Sequence, residues 1–350
     1  MRKTLALAFA ALLAAGLLGG GKALAGTSLL ETGSTLVYPL MNLWVADYQR
    51  AHGDVQITTQ GTGSGTGISQ AISGVAQIGA SDAYMADAQM KNSPMLNIPL
   101  AISAQQINYN IPGLNAKHLN LSGPVLAGIY SGAIKFWDDK QIAEMNKGVK
   151  LPHNQIVPIH RADGSGDTFI FSQYLSFSTP SWSHGPGYGT TISWPSVSTA
   201  VGATGNPGMV QTCQNTPNSI AYIGVSFLDE TNKAHLGYAA LKNRSGRFVL
   251  PTASTIHAAA SSLTSKTPSD ERISLIFAPG AESYPIINYE YAIVNPQQGD
   301  AAKGAELKKF LTWALASNGG QQAKFLNAVH FLPLPEKIVK LSKAQIAKIK

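Results

Sequence analysis

A run of β-forming residues, Ile156 to His160, leads straight into Arg161-Ala-Asp-Gly-Ser-Gly-Asp-Thr-Phe169, and this junction constrains the chain more than any other stretch. One guanidinium, two carboxylates and a Gly-Ser-Gly turn fall within nine residues, ahead of an apolar run that can open a helix. A strand feeding such a turn aims successive backbone N–H groups at one point. An arginine fork beside them matches the paired oxygens of a tetrahedral oxyanion. Three further segments have the same character: Gly33-Ser-Thr-Leu36, Gly61-Thr-Gly-Ser-Gly-Thr-Gly67 and Gly79-Ala-Ser-Asp82. Taken singly, Gly-Ser turns are ordinary loop chemistry.

At 350 residues the chain is long enough for two lobes, each with its own core. Its first residues read as a secretory leader. Arg2 and Lys3 precede an apolar run from Leu5 to Leu18, and Ala23-Leu24-Ala25 forms a small-x-small cleavage site, so a signal peptide over 1–25 is expected. No cysteine follows that site, and a product without a lipid anchor, exported to the periplasm, is expected. Three of the basic residues behind the formal charge of +7, Arg2, Lys3 and Lys22, fall in the leader, which has no acids, leaving +4. The remaining bases are dispersed and make no stripe interleaved with aromatics, which argues against nucleic acid as a partner. A single cysteine, Cys213, and eight scattered histidines show no ligand spacing, so neither an internal disulfide nor a metal site is expected.

Short β-like runs recur at Val55 to Thr59, Gln77 to Ala80, Ile107 to Ile111, Ile156 to His160, Ile220 to Val225 and Ile286 to Val294, with helical patterns between several, so the class is α/β. The first helix has Pro39 near its start, Leu40, Leu43, Trp44 and Tyr48 on one face, and Gly53 past its end. Leu307, Phe310, Leu311 and Ala314 form a second apolar face ahead of Gly319-Gly320. From Ser178 to Asn206 a Ser-, Thr-, Pro- and Gly-rich stretch carries Trp182, Tyr188 and Trp194; it reads as a surface excursion whose aromatics either dock a partner or, the commoner role, pin the loop to its own lobe.

The four polar segments, in this order and spacing, resemble the periplasmic phosphate-binding proteins that serve the phosphate ABC transporter. Leu121 to Asp139, with its Trp137-Asp138 pair, and Phe331-Leu-Pro-Leu-Pro335 are similar to structural stretches of that family, so the likeness covers most of the chain. It implies a type II periplasmic-binding-protein fold: two lobes joined by two crossover strands, with the ligand cleft between them. Lobe 1 would take residues 26–104 and 286–350, and lobe 2 residues 105–285. It also implies that inorganic phosphate is held by Thr35, Leu36, Ser64, Asp82, Arg161, Ser165, Gly166 and Asp167. The hydroxyls of Thr35 and Ser64 and the amides of Leu36, Ser165 and Gly166 would act as donors, with Asp163 orienting the guanidinium from behind. No cofactor or catalytic residue is implied. The expected product is a monomer that delivers phosphate to a membrane permease.

Asp82 carries the sharpest chemical expectation. A carboxylate facing an anion repels it unless the anion brings a proton to share, which phosphate does near neutral pH and sulfate does not. Asp167 stands where the better-known form of the motif has threonine, although aspartate also occurs there. It either complements the helix dipole or meets the ligand and demands a second proton. Leu36 replaces a phenylalanine, which matters little if only its amide is used. A hydrolase using Ser64 or Ser165 lacks the Gly-x-Ser-x-Gly elbow, and the Gly61 to Gly67 run lacks both dinucleotide and Gly-Lys-Ser/Thr patterns. A sulfate or molybdate binder would keep the fold but meet unfavourable carboxylates, and an adhesin would rest on the aromatic loop alone.

Overall fold

The computed structural model describes residues 26–350; the expected leader lies outside the described residues. Nine strands form one mixed sheet, in the order Val55–Gly61, Thr27–Gly33, Ile78–Ser81, Ile287–Val294, Leu96–Asn110, Ser219–Gly224, Val157–Arg161, Val201–Ala203, with the short Gly237–Tyr238 also on Leu96–Asn110. The three strands at one end are mutually parallel and linked through the helices Tyr38–Ala51 and Ser64–Ile72. Those at the other end, Ser219–Gly224, Val157–Arg161 and Val201–Ala203, are also parallel. Parallel strands with helical crossovers present their C-terminal ends, and the turns after them, along one edge. Gly33 is in register with both Gly61 and Ala80, and Arg161 with Ala203, so every polar segment singled out above leaves the sheet at such an edge.

Leu96–Asn110 joins the halves. Leu96 to Ala104 pair with Ile287–Val294, and from Gln105 onward the partner is Ser219–Gly224. This strand is buried along its length, and it begins at Leu96 rather than at Ile107 as the residue pattern suggests. Pro99, Gln105 and Gln106 break the β signal. Pro99 is tolerated because the register slips there, between Glu290 and Tyr291, so that the missing N–H falls at a bulge. Thr27–Gly33 was also invisible to a β pattern, because Glu31 sits in it as a fully buried acid.

The helix Tyr38–Ala51 carries Pro39 in its first turn and buries Leu40, Met41, Trp44, Val45 and Tyr48. Leu43, expected on that face, is instead 38% exposed, because the buried stripe follows the i, i+4 rows through residues 40, 44, 48 and 41, 45. Each large side chain so buried contributes roughly 1.5–3 kcal/mol. Trp44 donates its Nε1–H to the Gly320 carbonyl at 2.9 Å, and a side chain at Gly320 would collide with Trp44 and Ala314, which is why the Gly-Gly pair follows the helix Ala301–Ala314. Leu307, Phe310, Leu311 and Ala314 of that helix are all fully buried. The helices Ala301–Ala314 and Glu336–Ile346 pack on Thr27–Gly33 and Leu96–Asn110, and Leu332 exchanges both backbone hydrogen bonds with Ile102. Trp137 donates to the Asn218 carbonyl at 3.0 Å and Asp139 caps the helix Lys140–Met145, so the Trp-Asp stretch has structural work.

The long excursion after Ser178 lies against its own half. Trp194 stacks on His160 and Tyr222, and Trp182 is buried with its Nε1–H on the Gly187 carbonyl. Tyr188 remains 47% exposed.

Candidate functional site

On the first half, Ser34 opens the helical turn with its Oγ, which accepts the amides of Leu36 at 3.0 Å and Val37 at 3.1 Å and donates to Asp82 Oδ1. Ser64 starts the helix Ser64–Ile72 after Gly63, whose φ of +91° excludes most side chains. Its Oγ accepts the Asp82 amide at 3.2 Å and donates to Asp82 Oδ2 at 3.4 Å. Asp82, just past Ile78–Ser81, is 2% exposed. Burial pushes its carboxyl up, while hydrogen bonds from Glu290, Ser34 and Ser64 and the charge of Arg161 act to keep it ionised.

On the second half, Arg161 ends Val157–Arg161, its own amide donating to Tyr222 OH at 2.8 Å. Its guanidinium is 1% exposed and gripped on two sides: Nε and Nη2 donate to Asp163, and Nη1 donates to Asp167 Oδ2 at 2.8 Å. A guanidinium has five N–H groups, so two remain beyond those that Asp163 and Asp167 accept, held in a preset orientation. Burial raises the Asp163 carboxyl, but the hydrogen bonds and charge of Arg161 outweigh it and hold the group below the usual range. Asp163 also accepts the Gly205 amide.

Asp167 lies in a helix first turn, as the dipole reading expects, and its carboxylate also reaches into the junction. Ser165 caps the helix Gly166–Ser178, its Oγ accepting the Thr168 amide, and Asp167 follows in the first turn. Its carboxylate turns onto Arg161, onto Asn206 Nδ2 at 2.7 Å and onto Gln105 Nε2 at 3.0 Å. Complete burial and the nearby Asp82 charge push it up to about 7 in spite of those donors.

The halves meet directly around these groups. Asn206 Nδ2 also donates to Thr35 Oγ1 at 3.0 Å, joining Thr35 to Asp167, and Asn206 Oδ1 accepts the Gly224 amide. Gly65 donates its amide to the Gly164 carbonyl at 2.9 Å, and Ser226 donates to the Leu36 carbonyl. A Cβ at Gly166 would strike both Asp82 and Ser64. Thr35, Ser64, Asp82, Arg161, Ser165, Gly166 and Asp167 thus gather at one buried junction, with Asp163 behind Arg161. Two of the amides expected as donors have partners within the chain. The Ser165 amide donates to the Thr190 carbonyl of the long excursion, which leaves its hydroxyl hydrogen and the first-turn amides of the helix as donors. The Leu36 amide rests on Ser34 Oγ, and its side chain packs under Gly224. Ser34, Gln105 and Asn206 escaped sequence reading. Ser34 lies inside a quoted motif and was legible in principle, whereas no spacing marks the other two.

A buried, donor-lined junction on turns at the C-terminal ends of parallel strands is a place where a small solute can be held. Residues 20–318 match the PBP superfamily domain. The chain is 34% identical over 362 residues to the phosphate-binding protein PstS of Methanocaldococcus jannaschii, covering 96% of this chain and 92% of that one. Among solved structures, the phosphate-binding protein of Stenotrophomonas maltophilia superimposes with TM-score 0.68 at 20% identity, covering 91% of this chain and 93% of that one. The periplasmic phosphate-binding protein PfluDING, solved with phosphate bound, gives 0.69 at 21%, covering 92% and 93%. The chain belongs to the PstS family of phosphate-binding proteins and has its two-lobed α/β fold.

Proposed function

We propose that this protein binds inorganic phosphate at the junction of its lobes, through Thr35, Leu36, Ser64, Asp82, Arg161, Ser165, Gly166 and Asp167 with Asp163 behind them, and delivers it to the permease of an ABC-type importer. One observation carries the reading: a buried acceptor, Asp82, stands in the same buried junction as a guanidinium with two N–H groups left over from its carboxylate partners. A fully ionised oxyanion would satisfy the donors and leave Asp82 facing another acceptor. Monohydrogen phosphate satisfies both, and leaving such a buried group unmatched costs about 1–3 kcal/mol. The division into residues 26–104 with 286–350 and residues 105–285 is supported by the change of strand partner between Ala104 and Gln105. Export to the periplasm, without a lipid anchor, rests on the leader sequence, and function as a monomer is part of the same proposal. Among the described residues no helix is long and apolar enough to cross a membrane, in keeping with transport being performed by a partner.

Calorimetric titration of the mature protein with phosphate, sulfate and molybdate tests this. Phosphate binds far more tightly than either of the others, and Asp82→Asn lowers the preference over sulfate by roughly tenfold to a hundredfold. An unchanged preference in that variant refutes the role of Asp82, and tighter binding of sulfate or molybdate by the parent protein refutes the assignment of the ligand.

A further inference from the structure

Asp82 does not stand alone behind the junction. Glu290, in Ile287–Val294, is fully buried, and its carboxyl lies within hydrogen-bond reach of the Asp82 carboxyl. Glu290 Oε1 accepts from Ser103 Oγ and from Asn288 Nδ2, the latter at 3.1 Å. Its other oxygen, Oε2, is buried without a donor. Asn288 and Glu290 share a strand face, and Asn288 Nδ2 also donates to the Asp82 carbonyl at 3.2 Å, so that face is turned onto Asp82. The bulge between Glu290 and Tyr291, opposite Pro99, fixes the strand at this point.

We propose that Glu290 is a protonated acid that donates a hydrogen bond to Asp82 and thereby keeps Asp82 as the ionised acceptor on which the choice of phosphate over sulfate depends. The proposal rests on the reading of Asp82 given above and assigns the group that sustains it.

Two buried carboxyls in contact cannot both be charged, so one proton belongs to the pair. Asp82 receives hydroxyl donors on both oxygens, from Ser34 and Ser64. Glu290 has donors on one oxygen only, and a proton on Oε2 turns its unmatched atom into the donor that Asp82 can accept. Burial first, and the Asp82 charge second, hold Glu290 well above the usual carboxyl range. Of the elements packed on Ile287–Val294, Ser64–Ile72 and the part of Leu96–Asn110 facing it bring no titratable group, and the helix Ala253–Thr264 brings only His257, which is exposed. The charged groups that face the pair are Arg161 and Asp167, beyond Asp82.

The location of this proton has consequences for recognition. Were Asp82 to hold it, the junction would offer an O–H donor, and sulfate would find a partner where it should meet a rejecting acceptor. A neighbouring acid that takes the proton first preserves the filter as pH falls. Glu290 acts through Asp82 and is therefore a positioning residue.

Titration calorimetry with phosphate and sulfate at pH 6 and pH 8.5 on the parent protein, E290Q and E290M tests this. The amide of E290Q donates permanently, so its phosphate-to-sulfate preference stays within about threefold of the parent at both pH values. In E290M, Asp82 loses a donor and takes up a proton more readily, so the preference falls about tenfold or more at pH 6 and recovers at pH 8.5. A parental preference in E290M at both pH values, or an equal loss in E290Q and E290M, overturns the proposal. Infrared spectra supply a readout independent of ligand: the parent shows a carboxylic-acid C=O band, shifted in D2O, that E290Q lacks, and spectra identical in this region overturn the assignment of the proton. D82N separates the two readings. If D82N loses the preference but E290M keeps it, only the role of Glu290 fails; if D82N keeps it, the filter itself fails.

Discussion

Phosphate affinity should fall as pH rises through neutrality, and Asp167 should be the cause. Its carboxyl is wholly buried, stands close to the Asp82 charge and is pushed up to about 7. An incoming anion adds further negative charge, so the complex favours the neutral acid and binding takes up a proton. Affinity then follows the protonated fraction of Asp167 in the free protein. With a value near 7, that fraction drops from about nine-tenths at pH 6 to about one-thirtieth at pH 8.5, a loss of about 30-fold or ~2 kcal/mol. Calorimetry in buffers of differing ionisation enthalpy reads the proton uptake directly, and it should approach one per site at pH 8.5. Asp167→Asn removes this component. Gln105 Oε1 has no partner and can turn to accept the new amide N–H, so the variant should fold. The ionisation of phosphate itself acts alike in both proteins, so their difference isolates Asp167. An affinity that is flat or rises between pH 6 and pH 8.5, or a slope that survives in D167N, would refute this reasoning.

Arg161→Ala leaves Asp163 and Asp167 facing each other without their cation; it should cost about 3–5 kcal/mol in denaturant unfolding and abolish calorimetric binding of every oxyanion tested. Asn206→Ala removes the bridge from Thr35 to Asp167 and should weaken phosphate binding about tenfold or more, with faster amide exchange at Gly224, whose partner is lost. Gly166→Ala forces a methyl group onto Asp82 and Ser64, so small-angle scattering should show a more open protein and phosphate affinity should fall at least about a hundredfold, with little change in melting temperature. Glu31 is buried and held at about 8 by desolvation, so the folded state retains a proton that the unfolded chain has shed by pH 6. Its contribution is complete below the usual glutamate range and is lost as pH rises to about 8. Glu31→Gln should therefore gain in melting temperature relative to the parent as pH goes from 5 to 8.5, and a constant difference would count against this sign.

Much of this architecture was legible because turn chemistry is local. Gly63, Ser64, Ser165 and Gly166 must satisfy backbone geometry within a few residues, so their spacing identifies them before any fold is known. The helix Tyr38–Ala51 could be placed from Pro39 and its apolar rows for the same reason, though its buried face was misjudged at Leu43. What escaped is long-range. Gln105 reads as a polar interruption of a strand until that strand is seen to cross between the halves, where its amide meets Asp167 62 positions away. Asn206 reads as the end of a loop, yet it reaches Thr35 across 171 positions. Glu290 looks like a charge on a strand edge, and only the antiparallel pairing of Ile287–Val294 with Ile78–Ser81 places it beside Asp82. No periodicity encodes such partners, because each is fixed by topology and not by neighbours in sequence.

A site with one guanidinium and three acids around it, Asp82, Asp163 and Asp167, is an unlikely host for an anion by charge alone. Coulomb attraction therefore cannot be its working principle. Asp163 is neutralised by Arg161 through paired hydrogen bonds, which spends most of the cation on orientation. What remains for the guest is a set of directed donors: two guanidinium N–H groups, serine hydroxyls and the amides at a helix N-terminus. Against them stand carboxyls whose cost, on the proposed reading, is cancelled by protons, from the guest at Asp82 and from solvent at Asp167. On that proposed reading such an arrangement discriminates by the number of hydrogens a tetrahedral ion carries, since net attraction would admit any dianion equally. Removing acids from this site should therefore broaden the range of ions it accepts even where it strengthens binding.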